Sequence, residues 1–269
     1  MALFVPDPAH PEQSVLDSYV DRPPSGENAV AIFDGEWSSH LPPPYDRCTG
    51  AADLFEDARI TWLSNLIGGF DGLRVLELGP LEAGHSAMME RAGAASVVAI
   101  ESNVRAYLKC LIVKELLGLS RCSFQLGDFV AYLRDFSDRF DLCVASGVLY
   151  HLDDPIGALE LMGRVSDRLF LWTHYYDAVV LDAIPGYAGK FHTGERTDHD
   201  GFEYTRYRQE YGDALNWQGF CGGPGASSCW LGREDILGML RHLGFERIEV
   251  GFDHLNHTNG PAFALLAQR

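Results

Sequence analysis

Between residues 74 and 173, short apolar runs alternate with segments of helical spacing, and no other feature restricts the fold of this chain as tightly. The runs are Arg74-Val-Leu-Glu-Leu78, 96–101 with Val-Val-Ala-Ile in its middle, 122–126, 140–146, and 168–173 with Leu-Phe-Leu-Trp. Each reads as a buried strand. The segments 86–92, 104–117 and 155–165 read as helices, and Pro155 stands at a first turn, where a missing N–H costs nothing. Repeats of strand, helix, strand predict a parallel, doubly wound sheet. A helix at 233–243, stopped by Gly244, and strands at 245–252 and 262–266 bring the strand count to seven.

The flanks lack this rhythm. Residues 1–58 form an N-terminal extension, and Pro23-Pro24 and Pro42-Pro43-Pro44 break any long helix there. A short helix fits 14–20, and the segment is expected to wrap the core, with Trp37 either anchoring it or covering a ligand. Residues 53–66 show roughly helical apolar spacing after an acidic start, closed by Gly68-Gly69. The core, 59–182 and 230–269, is interrupted at 183–229 by a Gly-rich, aromatic insertion. Its Tyr187, Phe191, Tyr204, Tyr207, Tyr211 and Trp217 suit a lid over a small-molecule pocket. The alternative is packing against a partner subunit in a homo-oligomer.

Composition narrows the partners. A chain of 269 residues, 46% apolar and 22% charged, can bury a full globular core. Its formal charge of −17 repels phosphate backbones, and its densest basic stretch, 196–208, is interleaved with Glu195, Asp198, Asp200 and Glu203. Nucleic acid is therefore disfavoured, and a small molecule or a neutral or basic partner fits better. The six cysteines form no CxxC pair, so neither a zinc nor a disulfide framework is legible. His192, Asp198, His199 and Asp200 have no recognised metal-ligand spacing, and no metal is expected. The N-terminus lacks the basic and apolar regions of a signal peptide, and no run reaches the roughly 18 apolar residues of a membrane span. A cytoplasmic location follows as the expectation.

The loops after the strands carry the chemistry. The first strand runs into Glu77-Leu-Gly-Pro-Leu-Glu-Ala-Gly-His85. Gly79 there allows a tight turn and close approach to a ligand, and a helix starting near His85 would aim backbone N–H groups at it. Glu101 closes the second strand, 24 residues after Glu77, where a carboxylate can accept both ribose hydroxyls of an adenosyl group. Asp128 follows the third strand in Gly127-Asp-Phe129, placed to accept an adenine amino hydrogen with Phe129 beside the base. One acid after each of three strands puts three acids on one sheet edge.

Glu77-Leu-Gly-Pro80, Ile100-Glu-Ser-Asn103 and Gly127-Asp-Phe129 resemble the cofactor motifs of class I S-adenosylmethionine-dependent methyltransferases. Ser146-Gly-Val-Leu-Tyr-His-Leu-Asp-Asp-Pro155 resembles the segment after the fourth strand in the tRNA wobble-uridine carboxymethyltransferase group and its uncharacterised relatives. The resemblance covers about 59–175 and returns at 230–245. The family's first loop has glycines two and four residues after its first; here Leu81 and Ala83 stand there, followed by Gly84 and by His85, which matches.

The resemblance implies a Rossmann-like seven-stranded sheet with its last strand antiparallel. It also implies S-adenosyl-L-methionine as cofactor and S-adenosyl-L-homocysteine as product. Glu77 would neighbour the cofactor amino group and Gly79 pass close to the amino-acid part; Glu101 would hold the ribose, Asp128 and Phe129 the adenine, and Ser146 and Gly147 would line the sulfonium side, with Pro80, His85, Ser102, Asn103 and Gly127 as further cofactor-binding candidates.

Such a cofactor arrives activated, so the protein supplies alignment and, where the acceptor must lose a proton, a base. His151, just past the fourth strand, is the candidate base, with Tyr150 beside it; the plain alternative is that both cap the turn before Pro155. His174, with Tyr175 and Tyr176, follows the fifth strand on the same edge, and Trp217 and Trp230 complete the candidates for acceptor binding. The expected activity is methyl transfer to an O, N or C atom of a small-molecule or saccharide-like acceptor. A tRNA- or protein-modifying methyltransferase is the alternative enzyme, and a non-catalytic adenosyl-binding scaffold the alternative of another class.

Overall fold

The computed structural model describes residues 18–184, 186–187, 189–216, 219, 222–223 and 225–269. Among them, seven strands form the main sheet: β1 (Arg74–Leu78), β2 (Ser96–Glu101), β3 (Cys122–Leu126), β4 (Leu142–Ser146) and β5 (Arg168–His174), then β9 (Arg247–His254) and β10 (Ala262–Gln268). Their order is β3-β2-β1-β4-β5-β10-β9. The first five run parallel, and β10 is antiparallel to both β5 and β9. The insertion supplies β6 (Glu195–His199), β7 (Phe202–Glu210) and β8 (Ser227–Leu231), which form a separate antiparallel sheet.

Eight α-helices accompany these strands among the described residues: α1 (Gly26–Val30), α2 (Ala58–Ile67), α3 (Gly84–Arg91), α4 (Val104–Leu117), α5 (Phe129–Asp135), α6 (Pro155–Val165), α7 (Ala178–Ala183) and α8 (Arg233–His242). Both faces of the sheet are covered, which is why its strands read as continuous apolar runs. Alternation along one strand divides the core: Leu76 and Leu78 of β1 pack with α6 and α8 residues, while Val75 packs on the other face with residues of α2, α3 and α4.

The expected element positions hold along the core, with instructive exceptions. The helix read from residue 53 begins at Ala58, because Asp57 caps it by accepting a hydrogen bond from the Arg59 amide. Leu54 and Phe55 instead lie in a turn, closed by the Glu56 amide on the Asp53 carbonyl at 3.2 Å; a Cβ on Gly84 would lie 2.6 Å from the Leu54 carbonyl oxygen, so α3 can begin there only with glycine. Helices α5 and α7, capped by Asp128 and Asp177, are too short to display a period in the sequence. The helix expected at 14–20 falls mostly outside the described residues, and 18–20 have no regular structure.

The stretch before α2 lies on the core as a strap. Val30, Phe33, Trp37 and Leu41 are buried, and the Trp37 indole donates to the Val30 carbonyl at 3.0 Å. Trp37 is therefore an anchor and is absent from the wall of the cleft described below. The strap is pinned by Glu82, which is fully buried and accepts from the Ser38 and Ser39 amides at 3.0 and 2.7 Å. Lys109 of α4, itself buried, neutralises it at 2.7 Å. A buried carboxylate satisfied this fully is stabilising only while every partner is present.

Removing Glu82 leaves the Lys109 ammonium buried without its counter-charge, with the Glu36 carbonyl as its remaining acceptor. Glu82→Ala should therefore cost about 3–5 kcal/mol in urea unfolding and raise hydrogen exchange at Ser38 and Ser39. Glu203→Ala, which breaks the exposed Arg196–Glu203 pair, should leave the midpoint nearly unchanged.

Candidate functional site

The strand order reverses between β1 and β4, since the chain winds outward to β3 on one side and to β5 on the other. Open α/β sheets bind ligands in the crevice at such a point, beyond the carboxyl ends of the strands. Here that crevice is a cleft of about 670 Å³. One half is walled by Gly79, Pro80, Leu81, Glu101, Ser102, Asp128 and Phe129, and the other by Tyr150, His151, Trp172 and residues of the insertion.

The loop after β1 keeps the backbone path that glycines usually supply. Leu81 and Ala83 have φ of +53° and +64°, in the left-handed region, which costs roughly 1–2 kcal/mol each for such residues. The path is held from outside: the Leu81 amide donates to Glu101 at 3.2 Å, and Glu82 between them is locked to the strap. Gly79 is irreplaceable for a separate reason, since a Cβ there would come within 2.5 Å of Val148.

The acids of the edge differ in burial and duty. Glu101 has 7% of its surface exposed, and its two oxygens accept from the Leu81 and Asn103 amides. The Ser102 amide also faces this carboxylate, and with about four lone-pair sites in all it keeps capacity to accept a further hydroxyl. Burial pushes the Glu101 carboxyl above its ordinary value. Asp128 caps α5 through the Val130 amide at 2.7 Å and lines the same half of the cleft. Glu77 departs from the expectation: it is buried behind the wall, accepts from the Ser86 hydroxyl, and is raised by desolvation. Gly127 and Asn103 also lie off the wall, and Asn103 acts as the N-cap of α4.

His85 is on the wall and bonds Asp57 at 2.8 Å. Burial alone would raise Asp57, but hydrogen bonds from His85 and Arg59 hold it well below the usual carboxylate range. Asp57 grips the Arg59 Nε with both oxygens at 3.0 Å, and the guanidinium lies 4.4 Å over the Trp172 ring. Arg59 and Trp172 both line the cleft, and sequence reasoning missed them. Arg59 sits in an unremarkable amphipathic helix, and Trp172 reads as one more apolar residue of a buried strand.

His151 stands in a single 3-10 turn after β4 and lines the cleft with Tyr150, the ring centroids 4.1 Å apart. Its Nδ1 lies 3.0 Å from the Tyr211 hydroxyl. Burial, with His174 nearby, pushes the His151 imidazole down to about 4.

His174 is placed differently from the expectation. It is 4% exposed, lies behind the wall, donates from Nδ1 to the Gly260 carbonyl at 2.9 Å, and stacks on Trp230. Burial, then the neighbouring His257, pushes it down to about 4. Tyr175 packs into the core against Phe263, and Tyr176 stacks on Tyr207 at 3.5 Å. Trp230 is buried and off the wall as well, so these aromatic groups fasten the insertion to the core instead of facing the cleft. Trp217 lies outside the described residues.

His192 faces Glu210, and Asp198 accepts from the Gly201 amide. His199 hydrogen-bonds Glu160 of α6 at 2.9 Å, and together with Asp200 these side chains bring three ligand atoms within 4.8 Å of one another, a grouping that could hold a metal ion although the residue spacing had pointed to none. Among the described residues, no helix is long and apolar enough to cross a membrane.

No protein-family model and no curated protein sequence matches this chain. Solved structures do. The N-terminal domain of EvdMO1, crystallised in the presence of SAH and D-fucose, superposes with a TM-score of 0.66 at 20% identity, covering 90% of this chain and 94% of that domain. Of full-length EvdMO1 the match covers 46%, so the likeness is to its N-terminal domain. Magnesium protoporphyrin IX methyltransferase from Synechocystis PCC 6803, with bound SAH, gives 0.53 at 18% identity over 79% of this chain and 81% of that one. A Burkholderia thailandensis 1,6-didemethyltoxoflavin-N1-methyltransferase, with its substrate and S-adenosylhomocysteine, gives 0.52 at 14% over 81% and 78%. The fold is the Rossmann-like methyltransferase fold.

The two depressed histidines make stability depend on pH. Below about pH 6.5 the unfolded chain protonates them, while the folded chain does so only near pH 4, so stability falls as pH falls through this window. His174 contributes at most about 3 kcal/mol across it. The melting temperature of His174→Asn should accordingly fall less steeply than wild type between these pH values; parallel curves would show that His174 is not held neutral. The raised Glu77 and Glu101 act in the opposite sense, losing stability as pH rises, and cancel in this comparison.

Proposed function

We propose that this chain transfers a methyl group from S-adenosyl-L-methionine to a small-molecule or saccharide-like acceptor, leaving S-adenosyl-L-homocysteine. The observation that carries this reading is the continuity of the cleft. It runs from two carboxylates with unspent acceptor capacity, Glu101 and Asp128, to an aromatic end containing Tyr150, His151 and Trp172. A cofactor that is polar at its ribose and adenine fits the first end, and a small acceptor fits the second.

The roles follow from position. Glu101 accepts the ribose hydroxyls, and Asp128 with Phe129 holds the adenine. Gly79, Pro80 and Leu81 let the backbone approach the amino-acid part, with Glu77 supporting that loop from behind through Ser86. Ser146 and Gly147 line the middle, where the reacting centre belongs. The cofactor, when bound, supplies an activated methyl group. The chain's own contribution is alignment, exclusion of water and a proton acceptor in His151.

Three further points support a small acceptor. The insertion contributes His199, Gly223, Gly225 and Ser227 to the wall, as a lid over 183–229 would. Aromatic faces beside polar groups suit a sugar-like ring. The EvdMO1 domain was crystallised with D-fucose as well as SAH, and the toxoflavin enzyme with its own small substrate. The segment 146–155 still resembles a tRNA-modifying group, but a charge of −17 opposes a nucleic acid. Free cysteines at 110, 122, 143 and 229 suit a reducing cytoplasm.

Calorimetry with S-adenosylmethionine and S-adenosylhomocysteine tests the first step. Wild type should bind both, and Glu101→Ala should lose about 100-fold, the value of two charge-assisted hydrogen bonds. Radiolabelled methyl transfer should then mark a hexose-derived acceptor and leave unmodified tRNA unlabelled at low salt. Labelled tRNA would move the reading to the nucleic-acid class, and binding without transfer to any acceptor would favour a scaffold.

A further inference from the structure

The insertion touches the candidate base directly. Tyr211, 8% exposed, lies just beyond β7, and its hydroxyl is 2.9 Å from the Gly222 carbonyl and 3.0 Å from His151 Nδ1. Proton accounting decides the direction of both bonds. A carbonyl oxygen only accepts, so the single phenolic proton goes to Gly222. Towards His151 the phenol can then only accept, and Nδ1 must carry the proton. In a neutral imidazole that leaves Nε2 as a bare lone pair, on a ring that lines the cleft. Both groups that fix this state, Tyr211 and Gly222, belong to the insertion.

We infer that Tyr211 is a positioning residue that locks His151 in its Nδ1–H tautomer, so that Nε2 accepts the proton of a hydroxyl group on the acceptor. This rests on the methyl-transfer reading above and narrows it to O-methylation. The acceptor oxygen forms the new C–O bond as the C–S bond breaks with its electron pair staying on sulfur. The hydroxyl proton passes to Nε2, and the resulting imidazolium later releases it to solvent.

The chemistry selects among acceptor atoms. An Nε2 lone pair has no use opposite a thioether or a tertiary amine, which carry no proton. An alkylamine reaches the site as an ammonium, and an imidazole depressed to about 4 is far too weak a base to remove a proton held near 10. A hydroxyl proton becomes acidic only while the C–O bond forms, so a weak, correctly aimed base suffices.

Tyr211→Phe tests the arrangement, since it keeps the ring and removes only the hydroxyl. Nitrogen-15 NMR of the His151 imidazole reads the tautomer without any acceptor. Wild type should show protonated Nδ1 and unprotonated Nε2, and Tyr211→Phe should show a mixture or the Nε2–H form. An Nε2–H ring in wild type, or an unchanged tautomer in the variant, would overturn the inference. Turnover on a hydroxyl acceptor should fall about 10-fold in kcat for Tyr211→Phe, with acceptor KM and S-adenosylhomocysteine affinity unchanged. A product methylated on carbon, sulfur or nitrogen would overturn the hydroxyl assignment. Failure of wild type to bind S-adenosylhomocysteine would instead strike the broader reading, and the NMR result would stand apart from it.

Discussion

Everything at the site depends on the pairing of β1 with β4 at the centre of the sheet. Because consecutive crossovers leave these two strands in opposite directions, no helix covers their carboxyl ends, and a crevice is left open. Its floor is set by one contact, the approach of Gly79 to Val148, which leaves no room for a Cβ. The loop after β1, the end of β2 and the loop after β3 then carry Leu81, Glu101 and Asp128 to the same cleft.

The site is stiffened from outside. Leu81 and Ala83 hold left-handed backbone without being glycine, and such strain survives only where neighbours over-determine it. The neighbours are Glu101, which takes the Leu81 amide, and Glu82, which ties the same loop to the strap and to Lys109. The N-terminal stretch thus takes part in shaping the cofactor half of the cleft, although none of residues 26–41 forms its wall. At the other end, two histidines kept neutral by burial sit among Tyr150, Trp172 and Trp230. One faces the cleft, and the other is a structural element of the seam between β5 and β8.

Much of this was legible in the sequence, and the reason is periodicity. Strands buried on both faces must be apolar throughout, so β1 to β5 announced themselves within two residues of their observed ends. Glu101 and Asp128 line the cleft where the ends of β2 and β3 put them, whereas Glu77, which lies within β1 and not after it, is buried behind the wall. The insertion was legible as an interruption of the pattern, but its strands were not. Its strands β6 and β7 alternate charged and polar residues in a small sheet that is wet on one side, as in Glu195-Arg-Thr-Asp-His199. Helix α5 has seven residues, too few to show a repeat.

What the sequence determined by itself was the order of elements and the placing of Glu101 and Asp128 at the ends of β2 and β3, because both follow from local spacing. It did not determine which aromatic and histidine side chains face the cleft. His151 and His174 occupy equivalent places after neighbouring strands, yet one lines the wall and the other hydrogen-bonds the Gly260 carbonyl behind it. Nor did spacing foretell Arg59 over Trp172 or Tyr211 on His151, pairs separated by 113 and 60 positions. Only the packed structure decides such contacts, because they depend on how far the insertion and the first core helix reach over the sheet, and no local pattern encodes a distance across the fold.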